Sequence, residues 1–241
     1  MNIAVIFAGG VGKRMRSSGI PKQFLKIHGV PIIIHTLQKF QECKEIDAIV
    51  IACVASHLDY MQELVEKYNI NKVQRIVKGG ETGQQSIYNG LLVAKQISKT
   101  DKDIVLIHDG VRPIIDSELI CENIASVKKY GSAISSIPQK ETTIMLDENK
   151  KHIEKVTKRE LTYIARAPQS FYLNELLECH EKAKKEEKFD YIDSSSLMMH
   201  YGKKLVVVEC NTDNIKITTP DDYYIVRAIL EARESMQILG G

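Results

Sequence analysis

The sequence of 241 residues contains no C-x-x-C spacing, and its five cysteines, Cys43, Cys53, Cys121, Cys179 and Cys210, are widely scattered. An odd, scattered set excludes a disulfide framework and a zinc site of ordinary spacing. Most of them sit in apolar contexts such as Ile51-Ala52-Cys53-Val54, which suit burial as small hydrophobes. No apolar run approaches the roughly 18 residues that a membrane span requires. The first residues show no charged segment leading into an apolar one, so a cytoplasmic location is expected. Excess charge of one sign is missing too: the net charge is +2, which argues against a general nucleic-acid binder and makes any basic cluster a local site. No internal repeat or low-complexity linker divides the chain, and its length suits one domain over residues 1–241.

Two nucleotide fingerprints are also absent. The apolar run Ile3-Ala4-Val5-Ile6-Phe7 opens into Ala8-Gly9-Gly10-Val11-Gly12-Lys13-Arg14-Met15, which has neither the G-x-G-x-x-G spacing of dinucleotide sites nor the G-x-x-x-x-G-K-[ST] of kinase-type phosphate loops. The glycines still permit close backbone approach, so successive N–H groups can face one anion, and the cations add full charges. A bland glycine turn with two solvated cations is the competing reading. Pro21-Lys22-Gln23-Phe24 sets another cation beside the same loop and weakens it.

What is present is strand–helix alternation. Helices are expected at Pro31–Phe40, Asp59–Tyr68, Gln84–Ser98, Asn174–Lys185, Ser194–Tyr201 and from Pro220 to about Met236. Strands are expected at Ile46–Val54, Val73–Val77, Asp103–His108 and Lys204–Glu209, with Asn214–Ile217 a further segment. Thr219, Pro220 and the Asp221-Asp222 pair form a helix start. This order predicts an α/β, Rossmann-like domain: a mostly parallel sheet, helices on both faces, and ligands at the carboxyl ends of the strands. Residues 139–165 break the alternation. Thr142–Leu146 and His152–Val156 flank Asp147-Glu148-Asn149-Lys150, which predicts a projecting β-hairpin arm. A lone hairpin is marginal in water, so a second subunit is its expected support.

Two further motifs end strands. Gly79-Gly80-Glu81-Thr82-Gly83-Gln84-Gln85-Ser86 offers backbone groups and a hydroxyl suited to a nucleobase edge. His108-Asp109-Gly110-Val111-Arg112-Pro113 puts a carboxylate and a guanidinium at the sheet edge, for a metal and an anion. A His108–Asp109 dyad is disfavoured, because neighbouring strand residues point to opposite faces.

In this order the motifs resemble the polyol-phosphate cytidylyltransferases, the enzymes for 2-C-methyl-D-erythritol 4-phosphate and for ribitol 5-phosphate. The resemblance rests on AGGVGKRM at 8–15, PKQF at 21–24, the paired glycines with Ser86, HDGVRP at 108–113, Glu141-Thr142, Arg159, Pro168-Gln169, Asp193 and DNIKIT at 213–218. It implies that Arg14, Lys22 and Lys216 act on the reacting phosphates of CTP. Ala8, Gly9, Gly10, Gly12, Lys13, Gly80, Glu81 and Ser86 would bind the rest of the nucleotide. Asp109 and Arg112 would face the polyol phosphate, and Thr142 and Arg159 would reach into the site of a partner subunit in a homodimer. Mg²⁺ or another divalent cation is implied, with Asp109 its candidate ligand.

Three positions depart from the erythritol-phosphate pattern: Gly83 replaces an arginine, Ala167 a threonine, and Glu141 an aspartate. The first bears on the grip on the nucleotide and the other two on the acceptor. The start Ile6-Phe7-Ala8-Gly9-Gly10 and the Val111 form of the HD-x-x-RP motif resemble the ribitol-phosphate branch, and so favour ribitol 5-phosphate and a CDP-alditol destined for cell-wall or capsule polymers, ahead of isoprenoid synthesis. A nicotinamide oxidoreductase is disfavoured by the missing fingerprint. A catalytically silent nucleotide-binding module is disfavoured by the retained Lys22, Asp109, Arg112, Arg159 and Lys216.

Overall fold

Strict alternation in the first strand decides the layering. In the computed structural model, which describes residues 1–9 and 20–239, with side chains to Met236, β1 (Asn2–Ala8) lies in the middle of the sheet. Ala4 and Ile6 face one core with Leu37 and Phe40 of α1 (Ile32–Glu42), Met61 of α2 (Leu58–Lys67) and Ile120 of α4 (Ser117–Tyr130). Ile3 and Val5 face the other core. It holds Leu91 of α3 (Gly83–Ile97), Leu176 of α5 (Leu173–Lys185) and Leu197 of α6 (Ser194–His200). A strand covered on both faces must be apolar throughout, as this one is.

Among the described residues the main sheet has seven strands, in the order β11 (Val207–Glu209), β7 (Ser132–Pro138), β10 (Tyr163–Tyr172), β6 (Ile104–Asp109), β1, β4 (Ala48–Cys53) and β5 (Val73–Lys78). β10 runs antiparallel to both neighbours, and the remaining pairs are parallel. The chain steps outward from β1 to β4 and β5, then returns to the far side of β1 as β6. That reversal places a crevice at the carboxyl ends of β1 and β6, where ligands of open α/β sheets bind.

The expected α/β domain is therefore observed, with α4, β7, β10 and the short pair β2 (Lys26–Ile27) and β3 (Val30–Pro31) added. The strand expected at Lys204–Glu209 narrows to Val207–Glu209, and Asn214–Ile217 is irregular, tied to the β6 loop by the Ile217 N–H donating to the Val111 carbonyl. α7 (Pro220–Leu239) starts as read: the N–H groups of Thr218 and Thr219 donate to Asp222, whose own N–H donates to the Thr219 hydroxyl. Ile27, Ile32, Val111, Ile114, Ile217 and Val226 form a third core that fastens this helix under the Lys216 segment. The short pair β2 and β3 feeds into α1.

The arm is a hairpin of β8 (Ile144–Leu146) and β9 (Ile153–Val156), closed by the Asp147 carboxylate, which accepts from the N–H groups of Lys151 and His152. Every residue of both strands is exposed, including the apolar Ile144, Met145, Leu146, Ile153 and Val156. Among the described residues no helix is long and apolar enough to cross a membrane, and the cysteines are free thiols.

Two glycines of α3 have opposite surroundings. A Cβ on Gly90 would lie 2.5 Å from Cγ1 of Val5, a stiff side chain on the central strand, whereas one on Gly83 would meet nothing within 4 Å. Gly90→Ala is expected to destabilise by about 1–3 kcal/mol through overpacking, in spite of alanine's better helix propensity. Gly83→Ala should be neutral or stabilising, by up to about 1 kcal/mol. Urea unfolding of the two variants checks the contrast.

Candidate active site

The crevice at the ends of β1 and β6 contains two adjoining cavities of ≈ 410 Å³ and ≈ 250 Å³. Phe7, Gly83, Asp109 and Lys216 line both, so they form the dividing wall. The smaller cavity gathers Ala8, Gly9, Lys22, Gly80, Glu81 and Ser86, the residues expected around the nucleotide. The larger gathers Arg112 with three residues that sequence reasoning gave no role in the site: Arg166, Tyr191 and His180.

Asp109 organises the wall. Its carboxylate is 2.5 Å from Lys216 Nζ through one oxygen and accepts from Arg112 Nε at 2.8 Å through the other. Burial alone would raise its pKa, but the Lys216 and Arg112 charges outweigh it and hold the carboxyl at about 2. Asp109 is therefore ionised at any working pH, and it positions two cations that would otherwise repel. Lys216 also lies over the Phe7 ring, and Lys22 Nζ donates to the Ile217 carbonyl at 2.9 Å. Two cations distant in sequence are thus brought to one short segment.

His108 turns to the other face, as expected. Its ring packs on Phe40, Nε2 lies 3.1 Å from the Arg112 carbonyl, and burial lowers its pKa to about 4. No His108–Asp109 dyad exists.

Three residues read as ligand-facing or left unassigned serve to hold local backbone. The Ser86 hydroxyl accepts from the Gly80 N–H and donates to the Thr82 carbonyl, and its oxygen would be 2.8 Å from a Cβ at Gly9. A side chain at position 9 would separate the two glycine loops. Gln23 Nε2 donates to the Ala8 carbonyl at 2.7 Å, fixing the end of β1. Thr82 caps α3 by accepting from the Gln85 N–H. Gly83, where the erythritol pattern has arginine, leaves the junction of the cavities open.

Thr142 and Arg159 meet on the arm, with Arg159 Nη2 donating to Thr142 Oγ1 at 3.2 Å, but neither lines either cavity of its own chain. Gly10, Gly12, Lys13 and Arg14 lie outside the described residues. The metal expectation fits poorly. Both Asp109 oxygens face cations, and no group of three His, Cys, Asp or Glu side chains is placed to hold an ion among the described residues. A divalent cation binds through carboxylates free to coordinate it, and this one is committed.

Two polar side chains of the larger cavity, Gln169 and Asp193, are matched to each other and to α6. Gln169 donates to Asp193 and accepts from the Ser195 N–H, while Asp193 caps α6. His180 is buried, its Nε2 has no partner among the described residues, and its ring stacks on Tyr88 at 5.8 Å. Its sequence signal was weak, a histidine on the apolar face of an ordinary helix.

Comparison with known proteins agrees with this geometry. The family IspD, 2-C-methyl-D-erythritol 4-phosphate cytidylyltransferase, matches residues 2–232. The chain is 52% identical over 240 residues to ribitol-5-phosphate cytidylyltransferase of Streptococcus agalactiae, covering 100% of both. It is 42% identical over 230 residues to 2-C-methyl-D-erythritol 4-phosphate cytidylyltransferase of Clostridium botulinum, covering 95% of this chain and 97% of the other. The crystal structure of 4-diphosphocytidyl-2C-methyl-D-erythritol synthase from Anaerococcus prevotii superposes with a TM-score of 0.81 at 28% identity, over 95% of this chain and 96% of that one.

The two buried histidines make folding pH-dependent. His108 and His180 are each lowered from 6.5 to about 4 by burial, so between these values the unfolded chain binds more protons than the folded one. Stability is expected to be full above pH 6.5 and to fall toward pH 4, by up to about 3 kcal/mol per histidine. His180→Phe, which keeps the ring against Tyr88, should flatten part of that slope in urea unfolding at pH 7 and 4.5.

Proposed function

The chain belongs to the IspD family of cytidylyltransferases, and from that premise we propose that this nucleotidyltransferase moves CMP from CTP to ribitol 5-phosphate, releasing pyrophosphate and CDP-ribitol. The observation that carries the reading is the dividing wall: Lys216, held by buried Asp109, faces a cavity lined by Gly9, Lys22, Gly80 and Ser86 on one side and an arginine-bearing cavity on the other. Ribitol 5-phosphate is preferred as acceptor because identity is 52% to a ribitol-phosphate enzyme and 42% to an erythritol-phosphate enzyme. 2-C-methyl-D-erythritol 4-phosphate is the second reading.

The reaction needs no nucleophilic side chain. A phosphate monoester has a second pKa near 6 and is ionised at neutral pH, so its oxygen attacks the α-phosphorus of CTP directly. The bond from that phosphorus to the bridging oxygen breaks, and pyrophosphate leaves in line. The difficulty is bringing two polyanions together, and Lys22, Lys216, Arg112 and the glycine loop with Lys13 and Arg14 offset their repulsion. Gly80, Glu81 and Ser86 shape the nucleotide side. A divalent cation such as Mg²⁺ is proposed as the counterion of the CTP phosphates, whose clustered charge calls for one.

The exposed apolar arm supports a homodimer in which Thr142 and Arg159 complete the partner's acceptor cavity. Mixing Arg159→Ala and Asp109→Ala subunits should then restore part of the activity that each variant alone lacks. Heterodimers without recovery would show that each site is built from one chain.

Pyrophosphate release with CTP, Mg²⁺ and each acceptor tests the reaction. Turnover is expected with ribitol 5-phosphate well above that with the erythritol phosphate, and the reverse order would exchange the two readings. In the same assay Lys22→Ala and Lys216→Ala should each lose roughly a hundredfold in rate, about 3 kcal/mol of transition-state stabilisation.

A further inference from the structure

Arg166 has no part in the reading above, yet the fold aims it at the acceptor. The register of β10 against β7 shifts between Ala165 and Gln169, so residues 166–168 leave the ladder, and Arg166 enters the wall of the larger cavity beside Asp109, Arg112 and Lys216. It does not line the nucleotide-side cavity.

Its electrostatic situation differs from that of its neighbours. Arg112 and Lys216 both pair with Asp109, whereas among the described residues no carboxylate pairs with Arg166. Its Nη1 reaches the Asn214 carbonyl at 3.4 Å, the oxygen that Arg112 Nη1 already holds at 2.9 Å, and its buried Nε has no partner among the described residues. The other carboxylate of the wall, Asp193, is turned onto Gln169 and the first turn of α6. Burial, and next the charge of Arg112, lower the pKa of Arg166 without discharging it, since a guanidinium stays protonated. A partly buried cation beside another cation, with a donor to spare, is matched when an anion arrives.

We propose that Arg166 binds the phosphate monoester of the acceptor, forming with Arg112 a two-guanidinium clamp on the acceptor side of the wall. The proposal rests on the cytidylyltransferase reading and adds to it a residue that sets acceptor affinity and leaves the nucleotide alone. Because the clamp grips the phosphate, it serves whichever polyol carries that group.

Steady-state kinetics of wild type, Arg166→Gln and Arg166→Lys, with each acceptor varied at saturating CTP and the converse, tests it. Arg166→Gln should raise the acceptor KM roughly tenfold or more and leave the CTP KM within about twofold, with Arg166→Lys recovering part of the loss. Thermal stability of Arg166→Gln should be unchanged or higher, because an unpaired cation has been removed. An unchanged acceptor KM would overturn the proposal. So would a parallel rise in both KM values with a lower Tm, which marks a structural role. Wild type that used only the erythritol phosphate would instead overturn the ribitol reading, and the clamp would then be judged with that acceptor. Wild type inactive with both would sink the two together.

Discussion

The buried carboxylate of Asp109 is the group around which the site is assembled. Lys216 and Arg112 come from segments separated by about a hundred residues of chain, and each brings a full charge to the same few ångströms. In an enclosed crevice such convergence is unfavourable unless an anion lies between the cations. Asp109, at the last position of β6, supplies it, and its place at the reversal of strand order lets one side chain address both cavities. The same pairing sets a cation against each of its oxygens.

Around that centre the protein devotes many polar atoms to holding backbone. Gln23 fixes the end of β1, Ser86 and Thr82 fix the loop after β5, and Asn214 donates to the Ala167 carbonyl while its own backbone carbonyl receives both arginines. Few of these contacts would be noticed in a search for reactive residues. They leave Lys22, Lys216, Arg112 and Arg166 to present charge from a stiff frame, which suits a transfer driven by positioning and electrostatics.

The sequence made parts of this legible and hid others for identifiable reasons. The β1 loop, the paired glycines, HDGVRP and Lys216 are read easily because glycine and charge punctuate apolar strands. β10 is obscured because Arg166 and Pro168 interrupt it, and proline argues against a central strand. β7 is rich in serine, whose burial depends on neighbours such as Asn123 that only the fold supplies. α4 did carry a signal, with Asp116 at its start, Ile120, Ile124 and Val127 at helical spacing, and Gly131 in a left-handed turn at its end. Arg166 was passed over beside Ala167, since no motif distinguishes an arginine without a counter-ion from one on a solvated surface. The opposite meanings of Ser86 as a ligand group and as a loop clasp likewise separate only when its two hydrogen bonds are seen.

The third core has a consequence in the order of synthesis. Lys22 emerges among the first residues, but the carbonyl that holds its amine belongs to Ile217, and Ile217 is seated by Val226 of the last helix. A growing chain can form β1, β4, β5 and β6 while the wall between the cavities is still missing. The wall is complete only once the final tenth of the polypeptide has folded back, so a chain still on the ribosome carries most of the sheet without a seat for the Lys22 amine on Ile217.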